Sequence, residues 1–130
     1  MAGAQSRLPG RTPDRRRALG ARGEALAAAR YEAAGYEVLD RNWRCREGEL
    51  DLVLGGDGVV VFCEVKTRRG AGFGDPAEAV TATKQRRIRG LAVRWLAEHR
   101  VRAPVVRFDV ASVRLDPGKK PRVDVITGAF

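Results

Sequence analysis

The sequence predicts a folded α/β domain, and three observations support that class. Two long stretches, Arg15–Ala34 and Pro76–His99, combine helix-forming composition with apolar residues at helical spacing. Three others, Tyr36–Arg44, Gly48–Arg68 and Val105–Leu115, alternate or run apolar in the manner of strands. The hydrophobic share is 44% over 130 residues, enough for one domain with its own core.

Met1–Asp14 holds Gly3, Pro9, Gly10 and Pro13 with little apolar content, so it is expected to be a disordered basic arm, with 15–130 as the domain. Residues 1–22 contain six arginines against Asp14 alone. Such an arm either touches phosphate backbone or aids solubility, and composition does not separate the two. Arg7–Arg22 is too polar for a signal-peptide core, and no apolar run reaches the eighteen or so residues of a membrane span. A cytoplasmic protein without a membrane partner is expected.

In the first helix Gly35 suits the stop after the last turn. Two rows compete for its buried face: Leu19, Gly23, Leu26, Ala29 and Ala33, or Glu24, Ala27, Ala28 and Tyr31. By residue type alone, Glu24 reads as a surface glutamate.

Gly48–Arg68 is where the chain departs from a simple core pattern. Val59–Val65 is a near-continuous apolar run, as in a strand buried on both faces, yet Glu64 and Lys66 interrupt its end. Lys and Glu are rarely buried unless paired or holding a metal. Alternation puts Glu64 and Lys66 on the face of Phe62. In the preceding strand it puts Leu50, Leu52 and Leu54 on one face and Glu49, Asp51 and Val53 on the other. With Gly55–Gly58 as a four-residue hairpin loop, Leu54 pairs with Val59 and Asp51 with Phe62. Glu64 then lies diagonally from Asp51, roughly 5–8 Å away. A slip of two residues would set the acids directly opposite, and a slip of one would part them. Two converging carboxylates beside an ammonium suit a hard cation and phosphodiester chemistry.

The glycine-rich loop Arg68–Asp75 lacks the spacing and lysine of a phosphate-binding P-loop. Asp75 and Pro76 suit the cap and first turn of the second helix. Its apolar face is Ile88, Leu91, Ala92, Trp95 and Leu96, while Lys84, Gln85, Arg86, Arg87 and Arg89 crowd its first half. His99 is expected to serve the helix C-terminus, and Trp43 and Trp95 to pack. The two cysteines are too few for a disulfide scaffold and their spacing fits no zinc motif; Cys63 reads as a small core residue, and Cys45, between Arg44 and Arg46, has the setting of an activated thiol. Asp116–Lys120 is a turn before a short strand, Val123–Ile126; Asp109 and Asp124 are expected at edge or surface positions.

The net charge of +9 favours a polyanionic partner, nucleic acid before a membrane surface. Compositional bias is the competing explanation, since 21 of the 25 basic residues are arginine. Against that bias, one of only four lysines stands at position 66.

Asp51, twelve intervening residues and Glu64-Val65-Lys66 together resemble the PD-(D/E)xK nuclease motif of the restriction-endonuclease-like fold. A closer resemblance is to the YraN family of small bacterial proteins, similar in pattern to archaeal Holliday junction resolvases. It spans about Gly20–Leu115 and rests on Gly23-Glu24, Gly35-Tyr36, Asn42-Trp43-Arg44, Gly48–Leu52, Phe62–Arg68, Phe73-Gly74 and Lys84-Gln85-Arg86. Leu50 stands where the motif's name has proline.

The resemblance implies a three-layer α/β/α fold, a mixed sheet with an αβββαβ core. It further implies Mg²⁺ or Mn²⁺ held by Asp51 and Glu64, with Glu24, the first-helix acid, as a further metal-binding residue of the site. Lys66 would act on the attacking water or the phosphate, and Gln85 would support the site. Arg44, Arg68, Arg69, Lys84, Arg86 and Arg87 are the expected backbone contacts, sequence-blind and salt-sensitive. The leading reading is a metal-dependent endonuclease on DNA rather than RNA, at branched or structured sites; a resolvase role would require a homodimer. The alternatives are a nuclease fold that binds nucleic acid without cutting it, and a structural ion-pair cluster, which explains buried charge poorly.

Overall fold

The computed structural model describes residues 12–70 and 80–130, with side chains from Arg15 onward. The chain runs α1 (Thr12–Ala33), β1 (Glu37–Cys45), β2 (Gly48–Gly56), β3 (Val59–Arg68), α2 (Ala82–His99), β4 (Val105–Arg114) and β5 (Arg122–Ile126). The expected arm lies almost wholly outside the described residues, and α1 opens three residues before the expected Arg15.

One five-stranded sheet holds the strands in the order β1-β2-β3-β4-β5. β3 and β4 are parallel and joined through α2; the other neighbours are antiparallel. The αβββαβ core expected from the resemblance is present, with one helix on each face of a mixed sheet. On one face Ala27, Ala28 and Tyr31 of α1 cover Leu52, Leu54, Val61, Cys63, Ala111 and Val113. On the other, Ile88, Leu91, Ala92 and Trp95 of α2 cover Val53, Phe62, Phe108 and Val110. The row that contains Glu24 is therefore the one α1 turns toward the sheet. Among the described residues no helix is long and apolar enough to cross a membrane.

Local chemistry explains the ends of these elements. Gly35, at φ 95°, reverses the chain after α1. Its N–H bonds the Glu32 carbonyl, that of Tyr36 bonds the Tyr31 carbonyl, and the two tyrosine rings meet edge to face at 5.3 Å. α2 begins after Thr81, whose hydroxyl accepts the Lys84 N–H. Asp75 and Pro76, the expected cap and first turn, lie outside the described residues, and the cap found is Thr81. Trp95 packs within the core and donates to Asp40 at 2.8 Å; His99 stacks on Trp95 at 4.2 Å and bonds its carbonyl. Cys63 is buried, as expected of a core residue.

Three expectations need correction. The β2–β3 turn is two residues, Asp57-Gly58, because Gly56 pairs with Val59. Leu54 consequently pairs with Val61 and Val53 with Phe62, a slip of two from the expected register. Alternation in β2 also breaks: Leu50 joins the α2-side core whereas Leu52 and Leu54 join the α1 side. The break falls at Asp51, across from Asn42, which takes φ 51° between the pairs Arg41–Leu52 and Trp43–Leu50. Finally, Asp109 is not at the surface but fully buried. β4 is an interior strand, and the charge is met by Tyr31 Oη at 2.7 Å, Arg107 Nε and Nη2 at 2.9 Å each, and the Gly128 N–H at 2.9 Å. Asp124, by contrast, is exposed on the edge strand.

Candidate functional site

The β2–β3 ladder stops at Leu52–Cys63, while β3 continues along β4 to Arg68 and β2 returns along β1 to Gly48. The two strands part, and the acids stand where they part. Continuing the register places Asp51 directly opposite Glu64. At this fork the Val65 N–H has no β2 carbonyl to meet; Asp51 Oδ2 accepts it at 2.9 Å.

The consequence is two carboxyls facing each other in a partly desolvated place. Burial and then the charge of Glu64 push Asp51 up to about 7, and the single bond from Val65 only partly opposes this. Burial and repulsion thus favour a proton on Asp51, a place that a cation would fill instead.

Glu24 reaches the same cluster from α1. Burial, then the charge of Asp51, raises its pKa, and a hydrogen bond from the Asn42 side chain pulls the other way. Gly23 is what lets the helix come so close, since a Cβ there would lie 1.8 Å from Thr67 Oγ1. Lys66 completes the set. Burial and the neighbouring Lys84 ammonium lower its pKa, while Glu64 and Asp51 hold it up. Lys84 Nζ stands 3.8 Å from Glu64 Oε1.

Five residues therefore converge: Asp51, Glu64, Lys66, Glu24 and Lys84. The others do not. Gln85 donates to the Val80 carbonyl at 3.0 Å and ties down the start of α2. Arg44 is exposed and pairs with Glu49 at 3.2 Å. Arg86 and Arg87 line a hollow with Glu47 and Arg94, Arg69 lines another beside Leu19 and Arg22, and Arg68 lines a third with Arg114. Apart from Lys84, the expected backbone contacts are thus dispersed over separate surfaces. Phe73-Gly74 lies outside the described residues.

Two participants were not singled out for a role in the sequence. Asn42 combines a left-handed backbone, which asparagine tolerates, with the bond to Glu24. Glu49 adds to the negative potential at Asp51 and Glu24. Its alternation with Asp51 was a visible signal.

Among the described residues no three His, Cys, Asp or Glu side chains gather closely enough for an all-protein metal cage. The donor set nevertheless suits Mg²⁺, which takes one or two carboxylates and keeps several waters. Asp51 and Glu64 are such a pair, with Glu24 behind them.

A mixed sheet with a helix on each face, forked where an Asp, a Glu and a Lys meet, defines the restriction-endonuclease-like class of fold. Comparison with known proteins then places the chain within a family. The model of the uncharacterised protein family UPF0102 matches residues 23–113, and the chain belongs to that family, the YraN family that its motifs resemble. Similar relatives, each described as a UPF0102 protein, occur in several bacteria. One from Nocardia farcinica is 54% identical over 115 residues, covering 88% of this chain and 91% of its own. One from Frankia casuarinae is 56% identical over 113 residues, covering 87% and 96%. One from Acidothermus cellulolyticus is 45% identical over 129 residues, covering 92% and 98%.

Proposed function

We propose that this protein is a metal-dependent endonuclease that hydrolyses phosphodiester bonds in DNA, with branched or otherwise structured DNA as its substrate. The observation that carries the proposal is the fork itself: Asp51 opposite Glu64, with Lys66 on the same strand. A structural ion pair would set acid against base, whereas this arrangement sets acid against acid.

Asp51 and Glu64 would hold Mg²⁺ or Mn²⁺, and Glu24 would add negative potential from α1. The bound ion would lower the pKa of a water and offset charge on the reacting phosphate. Asp51, tied to the Val65 N–H, keeps its carboxylate fixed on β3. Lys66 places a cation at the same fork, where it would steady the attacking water or the phosphate oxygens. Lys84 brings a second ammonium to Glu64 instead of contacting distant backbone.

That Lys84 contact also favours the alternative, a nuclease fold that binds nucleic acid without cutting it, because it supplies Glu64 with an internal countercharge. Cleavage of single-stranded, duplex, flap and junction DNA and RNA with Mg²⁺ or Mn²⁺ decides between them. Wild type should cut at least one substrate, and Asp51→Ala and Lys66→Ala should not. Binding without cleavage under either metal would leave the non-catalytic reading. A resolvase role would further require a dimer cutting two strands, to be read from the mass of the protein–junction complex.

A further inference from the structure

We infer that a second phosphate-binding surface lies on the sheet face of Glu64 and Lys66, in the groove where β3 and β4 end and β5 begins. The inference rests on the nuclease reading and says where the substrate runs beyond the cut.

The register builds this surface in rows. Arg68 is the partner of Arg114, and Arg114 the partner of Arg122, so three arginines stand side by side across three strands. The adjoining row is Lys66, Ser112 and Asp124, and the next begins with Glu64. Side chains at register partners share a face, and like charges directly opposite each other destabilise a sheet. Two consecutive arginine pairs therefore concentrate positive charge on one face, where a polyanion would offset it.

The charge of Arg114 and Arg122 is incompletely cancelled within the protein. Arg114 donates to the neutral Gly70 carbonyl at 2.8 Å. Arg122 pairs with Asp124 at 3.0 Å, both largely exposed. The turn after β4 adds Lys119 and Lys120 to the wall of a hollow of about 530 Å³. Among the described residues this hollow is lined by five cations and two carboxylates, Asp116 and Asp124. Asp116 is already engaged by the Gly70 N–H at 2.7 Å.

The arginine row is four residues along β3 from Glu64, about 13 Å at ~3.3 Å per residue, with Lys66 between them. A nucleic-acid strand whose phosphate lies at the fork would pass Lys66 and reach the groove a few nucleotides on. Contacts of this type position a substrate without reading its sequence.

The test uses the full chain and fluorescent DNA, with anisotropy measured across a salt series. Lys119→Gln/Lys120→Gln/Arg122→Gln leaves the Arg114–Gly70 bond in place. It should bind at least about tenfold more weakly, and its log K against log salt slope should shrink by roughly 2–3, at ~0.7–0.9 per lost contact. Arg122→Glu alone, at an exposed position, should weaken binding in the same direction. An unchanged melting temperature would show that the variants fold. Wild-type affinity and slope in the triple variant would overturn the groove, whatever its cleavage. Weakened binding with no cleavage by any form of the protein would instead sink the nuclease reading and leave the groove standing as a binding surface.

Discussion

Asp51 and Asp109 both sit in interior strands of one sheet, both at least partly withdrawn from water, and they are provided for in opposite ways. Asp109 is fully buried and receives a tyrosine hydroxyl, two guanidinium N–H groups and a backbone N–H. It ties α1, β4 and the turn after β5 together. Asp51 receives one backbone N–H and faces a second carboxylate. A charge meant for stability is surrounded by donors; a charge short of donors, held against another acid, is in a state that folding alone would not favour. The contrast separates a structural acid from a candidate catalytic one without reference to function.

The largest effect that should sharpen the contrast is on activity. Asp51→Asn should lower cleavage on the order of 10³-fold or more, measured in single-turnover assays with Mg²⁺. The same change should raise the melting temperature at neutral pH in the absence of metal, because it removes the repulsion with Glu64. A lowered melting temperature would mean Asp51 is structural, like Asp109.

Asp109→Ala should behave in the reverse manner. It strands Arg107 and Tyr31, and a loss of about 3–5 kcal/mol is expected in denaturant unfolding. Loss of that size without a change in the metal response of the surviving folded protein would complete the separation of the two sites.

The pH dependence follows from the sign of the shift. An unfolded aspartate loses its proton near pH 4, whereas folded Asp51 keeps one up to about 7. Between these values the folded state binds more protons, so metal-free stability should fall as pH rises through about 4 to 7 and level off above. A bound cation displaces that proton, so the stabilisation given by Mn²⁺ should grow from about pH 6 to about pH 8. Thermal melts at several pH values, with and without Mn²⁺, test both trends, and Asp51→Asn should flatten them.

The smallest effect concerns approach rather than charge. Gly23→Ala puts a methyl against Thr67 and should destabilise by about 1–3 kcal/mol while moving Glu24 from the fork. Thr67→Ala in the same chain should recover part of the loss, a non-additivity that independent sites would not show.

Much of this could be read before folding. Helical spacing located both helices, Gly35 marked the first stop, and alternation with charges at Glu64 and Lys66 pointed to the site. The errors have local causes. A two-residue turn and a four-residue one both fit Gly-Gly-Asp-Gly, so the register slipped by two and the acids came out diagonal instead of opposite. Strict alternation fails at Asp51, where the left-handed Asn42 and the fork of the sheet break it. Asp109 looked peripheral because its donors, Tyr31 and Gly128, are remote in sequence, although Arg107 two residues away was a hint.

By itself the sequence determined what is periodic and local: which segments are helix or strand, where they stop, and which residue types can carry the chemistry. Tertiary structure alone decided which row of α1 is buried, that Lys84 joins the acids while Gln85 does not, and that arginines from three strands form one row. Those outcomes depend on register and on layers packing across dozens of residues, and periodicity holds no information about partners so far apart in the chain.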